Sequence, residues 1–205
     1  MERIRQLDFP YHEILNLVYT SDFNSGSYPV VGNLPILPLR TDTRGPAPRS
    51  ANGKCYFLPR NDFGISENDP DIVDEALTWF RPIIFTRSFK IRGGADRVLI
   101  YLFLYVIECL KQLHGVNQEE ATRRMRKLAI SEEIPLPGDQ KFPANDFLEA
   151  PKNKQERDTM AQYLQQLRRE VGDRLCILLF KNTDIADKHW TMYGHRRFLN
   201  RSFTR

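Results

Sequence analysis

Three cysteines are the residues of this chain best suited to nucleophilic or metal chemistry. Cys55, Cys109 and Cys176 are widely spaced, and two of them lie within apolar runs. A cysteine nucleophile needs a neighbouring base, and a zinc site needs closely paired Cys or His ligands. No Cys-x-x-Cys, His-Glu-x-x-His or Gly-x-Ser-x-Gly pattern occurs, and the four histidines are scattered. The sequence therefore predicts that the Cys109 and Cys176 thiols fill the core, and it predicts neither a catalytic nor a metal site.

Glycine and acidic doublets offer the other conceivable chemistry. Gly93-Gly94 lacks the spacing and the Lys-Ser/Thr pair of a phosphate-binding loop, so we interpret it as a break between helices. Glu119-Glu120 and Glu132-Glu133 could be imagined as acid–base pairs, but neighbours in a helix point to different faces. A favourable charge at a helix start explains the first doublet. No catalytic residue and no cofactor is predicted.

The C-terminal tail, residues 188–205, is basic and aromatic and contains no acidic residue. Its cations could bind phosphates while its rings stack on bases, so one hypothesis is a basic nucleic-acid-binding module. Trp and Phe also anchor terminal segments in grooves, however, and Arg is favoured at protein interfaces. A net charge of only +4 favours the protein-interface hypothesis.

Bulk composition limits the class of protein. The chain has 205 residues, of which 41% are hydrophobic, which is enough to bury a sizeable core. Its odd, scattered cysteines suit a reducing compartment, and residues 1–8 lack a secretory signal. The strongest apolar run, residues 98–107, is well short of the roughly 20 residues that a membrane helix needs. These features predict a soluble, cytosolic protein.

The first structural element along the chain, which could position functional residues, is predicted to be an N-terminal arm. Residues 1–68 contain recurring prolines and glycines, which predict an extended Pro-rich N-terminal arm. Residues 30–39 are apolar despite their prolines, so we expect them to lie against the fold or a partner. Residues 50–68 are expected to be a disordered insertion.

Residues 69–187 are predicted to form a compact, all-α helical domain. The first helix is expected to begin with Asp69 as N-cap and Pro70 at its first position, and to end near Pro82. The second is expected to span residues 96–113. Because residues 98–107 leave no polar face, this helix is predicted to be central and surrounded by the others.

Two further helices and a connector complete the predicted domain. Capping boxes at residues 117–120 and 153–156 predict the starts of the third and the last long helix. The Pro-rich connector, residues 130–151, is long for a loop and is expected to pack down. The basic aromatic tail, residues 188–205, is expected to pack on the domain or on a partner.

Motifs in a fixed order run through the chain from about residue 32 to residue 202. They are Leu37-Pro38-Leu39-Arg40, Gly45-Pro46-Ala47-Pro48-Arg49, Asp71-Ile72-Val73-Asp74-Glu75-Ala76, Ala95-Asp96-Arg97, Pro135-Leu136-Pro137-Gly138, Tyr163-Leu164-Gln165-Gln166-Leu167-Arg168, Lys188-His189-Trp190-Thr191 and Arg196-Arg197-Phe198-Leu199-Asn200. Together they resemble the family of the 21-kDa subunit of the actin-related protein 2/3 complex. His189 stands where that family usually has the first of two tryptophans.

The resemblance implies an all-helical fold with one enclosed helix, and a function that follows from assembly. Members of the family are non-catalytic structural subunits of a seven-subunit complex that supports actin filament nucleation and branching. The implied partners are the actin-related subunits, especially the third, the other subunits, and actin filaments through the complex. The implied location is the cytoplasm, at the actin cytoskeleton, with no cofactor and no membrane contact.

Candidate partner-interface residues come from the arm and the tail. In the arm they are Leu37, Pro38, Arg40, Pro46, Pro48 and Arg49. In the tail they are Trp190, Arg196, Arg197 and Phe198. We expect Arg196 and Arg197 to lie at the rim of an interface and not in the core.

Overall fold

The computed structural model describes residues 19–49, 70–181 and 183–204 of the chain. Residues 1–18 of the predicted arm, the predicted disordered insertion at 50–68, and Cys55 within it lie outside the described residues. Within the described ranges the chain is mostly helical, as the sequence predicts. A small two-stranded sheet, which the all-α prediction did not include, accompanies the helices.

Two long helices and several shorter elements make up the secondary structure of the described residues. The α-helices are α1 (Ile72–Ile83), α2 (Gly94–Gln112), α3 (Gln118–Ala129), α4 (Lys154–Leu179) and α5 (Lys188–Thr191), and the 3-10 helices are Asp22–Ser25 and Met192–His195. Strands β1 (Val30–Val31) and β2 (Leu34–Pro35) pair antiparallel, with Val30 opposite Pro35. Gly32 takes a positive φ of 62° in the turn between them, a conformation that glycine adopts without strain.

Helix α1 begins later than the sequence predicts. Its N-cap is Asp71 and not Asp69, which lies outside the described residues. The Asp71 carboxylate accepts hydrogen bonds from the backbone N–H groups of Val73 and Asp74, and the Asp74 carboxylate accepts one from the N–H of Asp71. This reciprocal capping box satisfies the N–H groups that a helix start leaves without partners, so it fixes the start at Ile72. Pro82 lies in the last turn, close to the predicted end.

Helix α2 is the most deeply buried long helix of the described residues. Every residue from 98 to 110 is buried. It packs against α1, α3, α4, β2 and both 3-10 helices. It starts at Gly94, earlier than predicted, because the Asp96 carboxylate accepts hydrogen bonds from the backbone N–H groups of Arg92 and Gly93. Each large aliphatic side chain buried along it contributes about 1.5–3 kcal/mol to stability.

Helices α3 and α4 start where the sequence predicts. The Asn117 side chain accepts a hydrogen bond from the N–H of Glu120, and the Asn153 side chain accepts one from the N–H of Glu156. The reciprocal half of each predicted capping box is not formed, because Glu120 pairs with Arg124 and Glu156 accepts from the backbone of the residue before Asn153. The two helices pack against each other.

The Pro-rich connector between α3 and α4 is packed down, as expected. Phe142 is 4% exposed and stacks on Tyr101 of α2, with ring centroids 6.4 Å apart. Leu148 is also buried. The connector therefore adds to the core and closes one side of α2.

Candidate interaction surfaces

The N-terminal arm is held along α4 by buried polar groups. The backbone N–H of Leu37 donates to the hydroxyl oxygen of Tyr163 at 3.1 Å. Gln166, which is 1% exposed, holds the arm at two points: its side-chain oxygen accepts from the N–H of Ala47 at 2.9 Å, and its amide nitrogen donates to the carbonyl of Thr43 at 2.8 Å. Because buried polar groups are costly without partners, these bonds fix the register of the arm on the helix.

A buried charge cluster fastens the same arm to both α1 and α4. The Arg174 guanidinium of α4 donates to both carboxylate oxygens of Asp71, at 2.5 and 2.7 Å, and to Asp74 at 2.8 Å. It also donates to the backbone carbonyl of Arg40 at 2.8 Å. The Arg40 side chain in turn forms an ion pair with Asp74. One arginine near the C-terminal end of α4 thus joins that helix to the cap of α1 and to the arm.

Glu170 completes the cluster one turn before Arg174 on α4. Its carboxylate accepts from the Thr41 hydroxyl at 2.5 Å and from Arg174 at 3.2 Å. Burial raises the pKa of Glu170 above its ordinary value, although the Arg174 charge opposes that rise. Burial also acts to raise the pKa of Asp71, but the charge and hydrogen bonds of Arg174 lower it below its ordinary value.

The first described residues of the arm, 19–21, are held by two more buried carboxylates. Glu75 of α1 accepts hydrogen bonds from the hydroxyl groups of Tyr19 and Ser21. Asp96 of α2 accepts one from the backbone N–H of Ser21 at 2.7 Å. The ring centroids of Tyr19 and Trp79 lie 4.4 Å apart. Residues 19–21 are therefore tied to both helices before the chain reaches the sheet.

The C-terminal tail is held mainly by aromatic rings, and at Arg201 also by an ion pair with Asp146 of the connector. Trp190 stacks on Phe80 of α1 with centroids 5.9 Å apart and planes 10° from parallel. Phe198 meets Phe103 of α2 edge-on at 5.2 Å. Gly194 approaches α2 so closely that a Cβ atom there would lie 3.0 Å from the α2 backbone. Ring pairs of this kind add about 0.5–1.5 kcal/mol each to what burial alone gives.

Exposed cations lie on the connection between α1 and α2, residues 84–93, and on the adjoining part of the tail. Arg87 and Lys90 belong to the connection, whose residues 84–93 include no acidic residue, and Arg196 and Arg197 belong to the tail. The Arg196 guanidinium lies over the Phe85 ring at 5.2 Å, and other rings of the connection and tail also meet. We call these four residues the basic face. In the described ranges none of them forms an ion pair, so their charge is directed to solvent or to a partner.

A second surface feature is an apolar groove between the end of α4 and α5. It has a volume of about 550 Å³. Leu178 and Ile185 contribute apolar surface, and Ile185 is 72% exposed. Arg81 and Lys188 are cations of its rim, and the Arg81 guanidinium lies 5.9 Å from the centre of the Trp190 ring. We call this the α4–α5 groove.

The predicted interface residues fall into three groups by exposure. Leu37, Trp190 and Phe198 are buried within the chain. The partly buried ones are Pro38, Arg40 and Pro46, and the exposed ones are Pro48, Arg49, Arg196 and Arg197. Sequence reasoning missed Arg87 and Lys90 of the basic face, and it missed the α4–α5 groove. The acid-free run from residue 84 to residue 95 was a signal that could have identified the first two.

The described residues offer little for covalent or metal chemistry. Burial raises the pKa of the Cys109 thiol, and burial raises that of Cys176 to about 11, so both thiols stay protonated near neutral pH. No group of three His, Cys, Asp or Glu side chains in the described ranges is placed to hold a metal ion. Among the helices described, none is both long enough and apolar enough to cross a membrane.

The scaffold is mostly helical, holds an arm and a tail, and presents a basic face and an apolar groove. This combination is typical of one class of protein, the protein-binding subunit. Comparison with known proteins gives the family. Residues 17–203 match the model of the family described as P21-Arc: ARP2/3 complex ARPC3 (21 kDa) subunit. The chain belongs to this family.

Individual relatives agree with the family match over most of their length. A Caenorhabditis elegans protein named probable actin-related protein 2/3 complex subunit 3 is 40% identical over 171 residues, 82% of this chain and 84% of that protein. The Dictyostelium discoideum actin-related protein 2/3 complex subunit 3 is 37% identical over 91% of this chain and 99% of its own length. The Schizosaccharomyces pombe subunit 3 is 36% identical over 90% and 98%. These matches give no support to the nucleic-acid-binding alternative.

Proposed function

We propose that this chain is a non-catalytic structural subunit of the actin-related protein 2/3 complex, which supports actin filament nucleation and branching by packing against an actin-related subunit. The observation that carries the proposal is the family match over residues 17–203, which takes in every described element. The proposed location is the cytoplasm, at the actin cytoskeleton. The proposed partners are the actin-related subunits, above all the third, and the other subunits, with actin filaments reached through the complex.

The proposed division of the chain is an arm at 1–68, a helical domain at 69–187 and a tail at 188–205. In this proposal α2 is the central helix that the other elements surround. Its uninterrupted burial from residue 98 to residue 110 supports this role. A rigid centre suits a structural subunit, because an interface is tighter when its residues are ordered before binding.

The proposed contact residues are the exposed members of the predicted set. Arg196 and Arg197, with Arg87 and Lys90 beside them, would meet acidic groups of a partner, and Pro48 and Arg49 would contribute from the arm. The buried members, such as Trp190 and Phe198, would act indirectly by holding the exposed ones in position. Arg is enriched at protein interfaces because its planar guanidinium binds carboxylates with two hydrogen bonds.

Affinity purification of the tagged chain from its own cells, under gentle salt, tests the subunit assignment. We expect to recover two actin-related proteins and several further small subunits. Recovery of the chain without them would overturn the proposal.

Reversing two charges of the basic face tests the contact residues. Arg196→Glu combined with Arg197→Glu should reduce the recovery of partner subunits at least several-fold while leaving the circular dichroism spectrum and unfolding midpoint unchanged, because both side chains are exposed. Lys152→Glu combined with Lys154→Glu is the matched control. It makes the same charge change at the start of α4, where acidic residues are favourable. Equal recovery from both variants would refute the placement of the interface on the basic face.

A further inference from the structure

The α4–α5 groove combines exposed apolar surface with a cationic rim. Ile185, which lines it, is 72% exposed. Ile185 and Leu178 contribute to the apolar part of the groove wall. Single exposed apolar residues are common on protein surfaces, but a concave cluster of them marks a binding site more often than a random patch does.

The charges around the groove are unbalanced. Its cations are Arg81, Lys181 and Lys188, and its acidic residue is Asp187. The Asp187 carboxylate accepts a hydrogen bond from the backbone N–H of His189 at 2.8 Å, as the N-cap of α5. Within the described ranges Lys188 forms no ion pair. A ligand that covers the apolar wall would therefore meet a positive rim.

The position of this rim is fixed by the core. Arg81 is on the last turn of α1, and its guanidinium lies over the Trp190 ring, which itself stacks on Phe80. Asp187 donates its backbone N–H to the carbonyl of Leu179, which joins the segment before α5 to the end of α4. The groove is therefore built between two anchored elements, and its binding surface is largely ordered before a ligand arrives.

On these grounds we propose that the α4–α5 groove is a docking site for an acidic segment of a neighbouring subunit, one that places a large apolar side chain against Ile185 and Leu178 and a carboxylate near Arg81 or Lys188. This inference rests on the proposed function, since it takes the occupant from the same assembly. A volume of about 550 Å³ accommodates several side chains of such a segment.

Substitution of Ile185 tests the apolar part. Ile185→Glu removes the apolar contact and places a negative charge where an acidic segment would bind, and we expect it to weaken association with the complex about tenfold or more. Because the side chain is 72% exposed, the unfolding midpoint should not change. Ile130→Glu is the matched control, because Ile130 is a similarly exposed isoleucine, 55% exposed, just after the end of α3. Its association should equal that of the unsubstituted chain.

Substitution of Lys188 tests the rim. Lys188→Glu should slow association and remove part of its salt dependence, because rim charges act chiefly on the rate of encounter. A glutamate at the first position of a helix is favourable, so α5 should remain folded. Unchanged association and salt dependence for both Ile185→Glu and Lys188→Glu would overturn the docking site.

A photo-crosslinking amino acid at position 185 identifies the occupant. We expect a crosslink to an acidic peptide of another subunit in the purified complex. A crosslink to a second copy of this chain, to lipid or to nucleic acid would overturn the inference, as would the absence of any crosslink. If the unsubstituted chain recovers no subunits at all, the proposed function itself fails. If it recovers them and Ile185→Glu does so equally well, this inference alone fails.

Discussion

The buried arginine of α4 provides the sharpest test of how this fold is held together. Arg174→Met keeps most of the side-chain volume and removes the guanidinium. Five hydrogen bonds are lost, two to Asp71 and one each to Asp74, Glu170 and the backbone carbonyl of Arg40. The three carboxylates, all buried, then lie together, and among the described residues the Arg40 side chain is the countercharge that remains paired with one of them.

The expected loss of stability is large because the buried carboxylates cannot become solvated without unfolding of the chain around them. Removing one partner of a buried ion pair costs about 3–5 kcal/mol, since an uncompensated charge stays in the interior. For a chain of this size each kcal/mol lowers the midpoint of thermal unfolding by about 2–4 °C, so we expect a decrease of roughly 6–20 °C. The arm should also become accessible to protease near Arg40, because Arg174 holds its carbonyl.

Thermal and urea unfolding of the purified full chain, followed by circular dichroism, measure this cost. Arg123→Met is the control, because Arg123 pairs with Glu120 on the surface and its side chain is 78% exposed. Exposed pairs contribute little to stability, so the control should unfold at nearly the midpoint of the unsubstituted chain. If Arg174→Met unfolds at the midpoint of the control, the charge cluster does not stabilise the fold and the reasoning is wrong.

Two further predictions concern the cap of α1 and the tail. Because the pKa of Asp71 is lower in the folded chain than in the unfolded one, its contribution to stability is present above the unfolded value of about 3.9 and is lost as the pH falls through the folded value. Asp71→Asn can still cap the helix, but it should be less stable than the unsubstituted chain at neutral pH. In urea titrations the difference in free energy of unfolding between the two chains should become smaller below about pH 4. A difference that stays constant with pH would contradict this prediction. Gly194→Ala should lower the free energy of unfolding by about 1–3 kcal/mol, because its Cβ would press on the α2 backbone at 3.0 Å, and an unchanged urea midpoint would show that the tail is not held against α2.

Local signals explain how much of the fold could be predicted. The apolar run in α2 and the capping residues Asn117 and Asn153 are short-range features, and each identified its helix. The start of α1 was predicted wrongly because Asp69 and Asp71 are both acceptable N-caps by sequence. What favours Asp71 is its contact with Arg174, which lies 103 residues away in the chain. No local pattern carries that information.

For the candidate contact residues, the sequence did not show which side chains would be buried, for a related reason. Trp190 and Phe198 were chosen because aromatic residues are frequent at interfaces, but aromatic residues are equally frequent in cores, and both are buried here. Arg196 and Arg197 are exposed, as expected of rim residues. Arg87 and Lys90 join them because the ring of Phe85 lies against Arg196, a contact between segments far apart in sequence.

The forces that hold the arm and the tail on the fold differ from those expected at the basic face. A salt titration can therefore distinguish the strength of the interface from the stability of the fold. Rings and a close glycine contact hold residues 190–198 of the tail, and the cluster around Arg174 is buried, so neither depends on charges that salt screens effectively. The basic face is exposed, so its attraction to an acidic partner is screened beyond the Debye length, which is about 8–10 Å at moderate salt and shortens as salt is added. Partner subunits lost at a salt concentration that leaves circular dichroism unchanged would therefore report the strength of the interface itself, and not the stability of the chain that presents it.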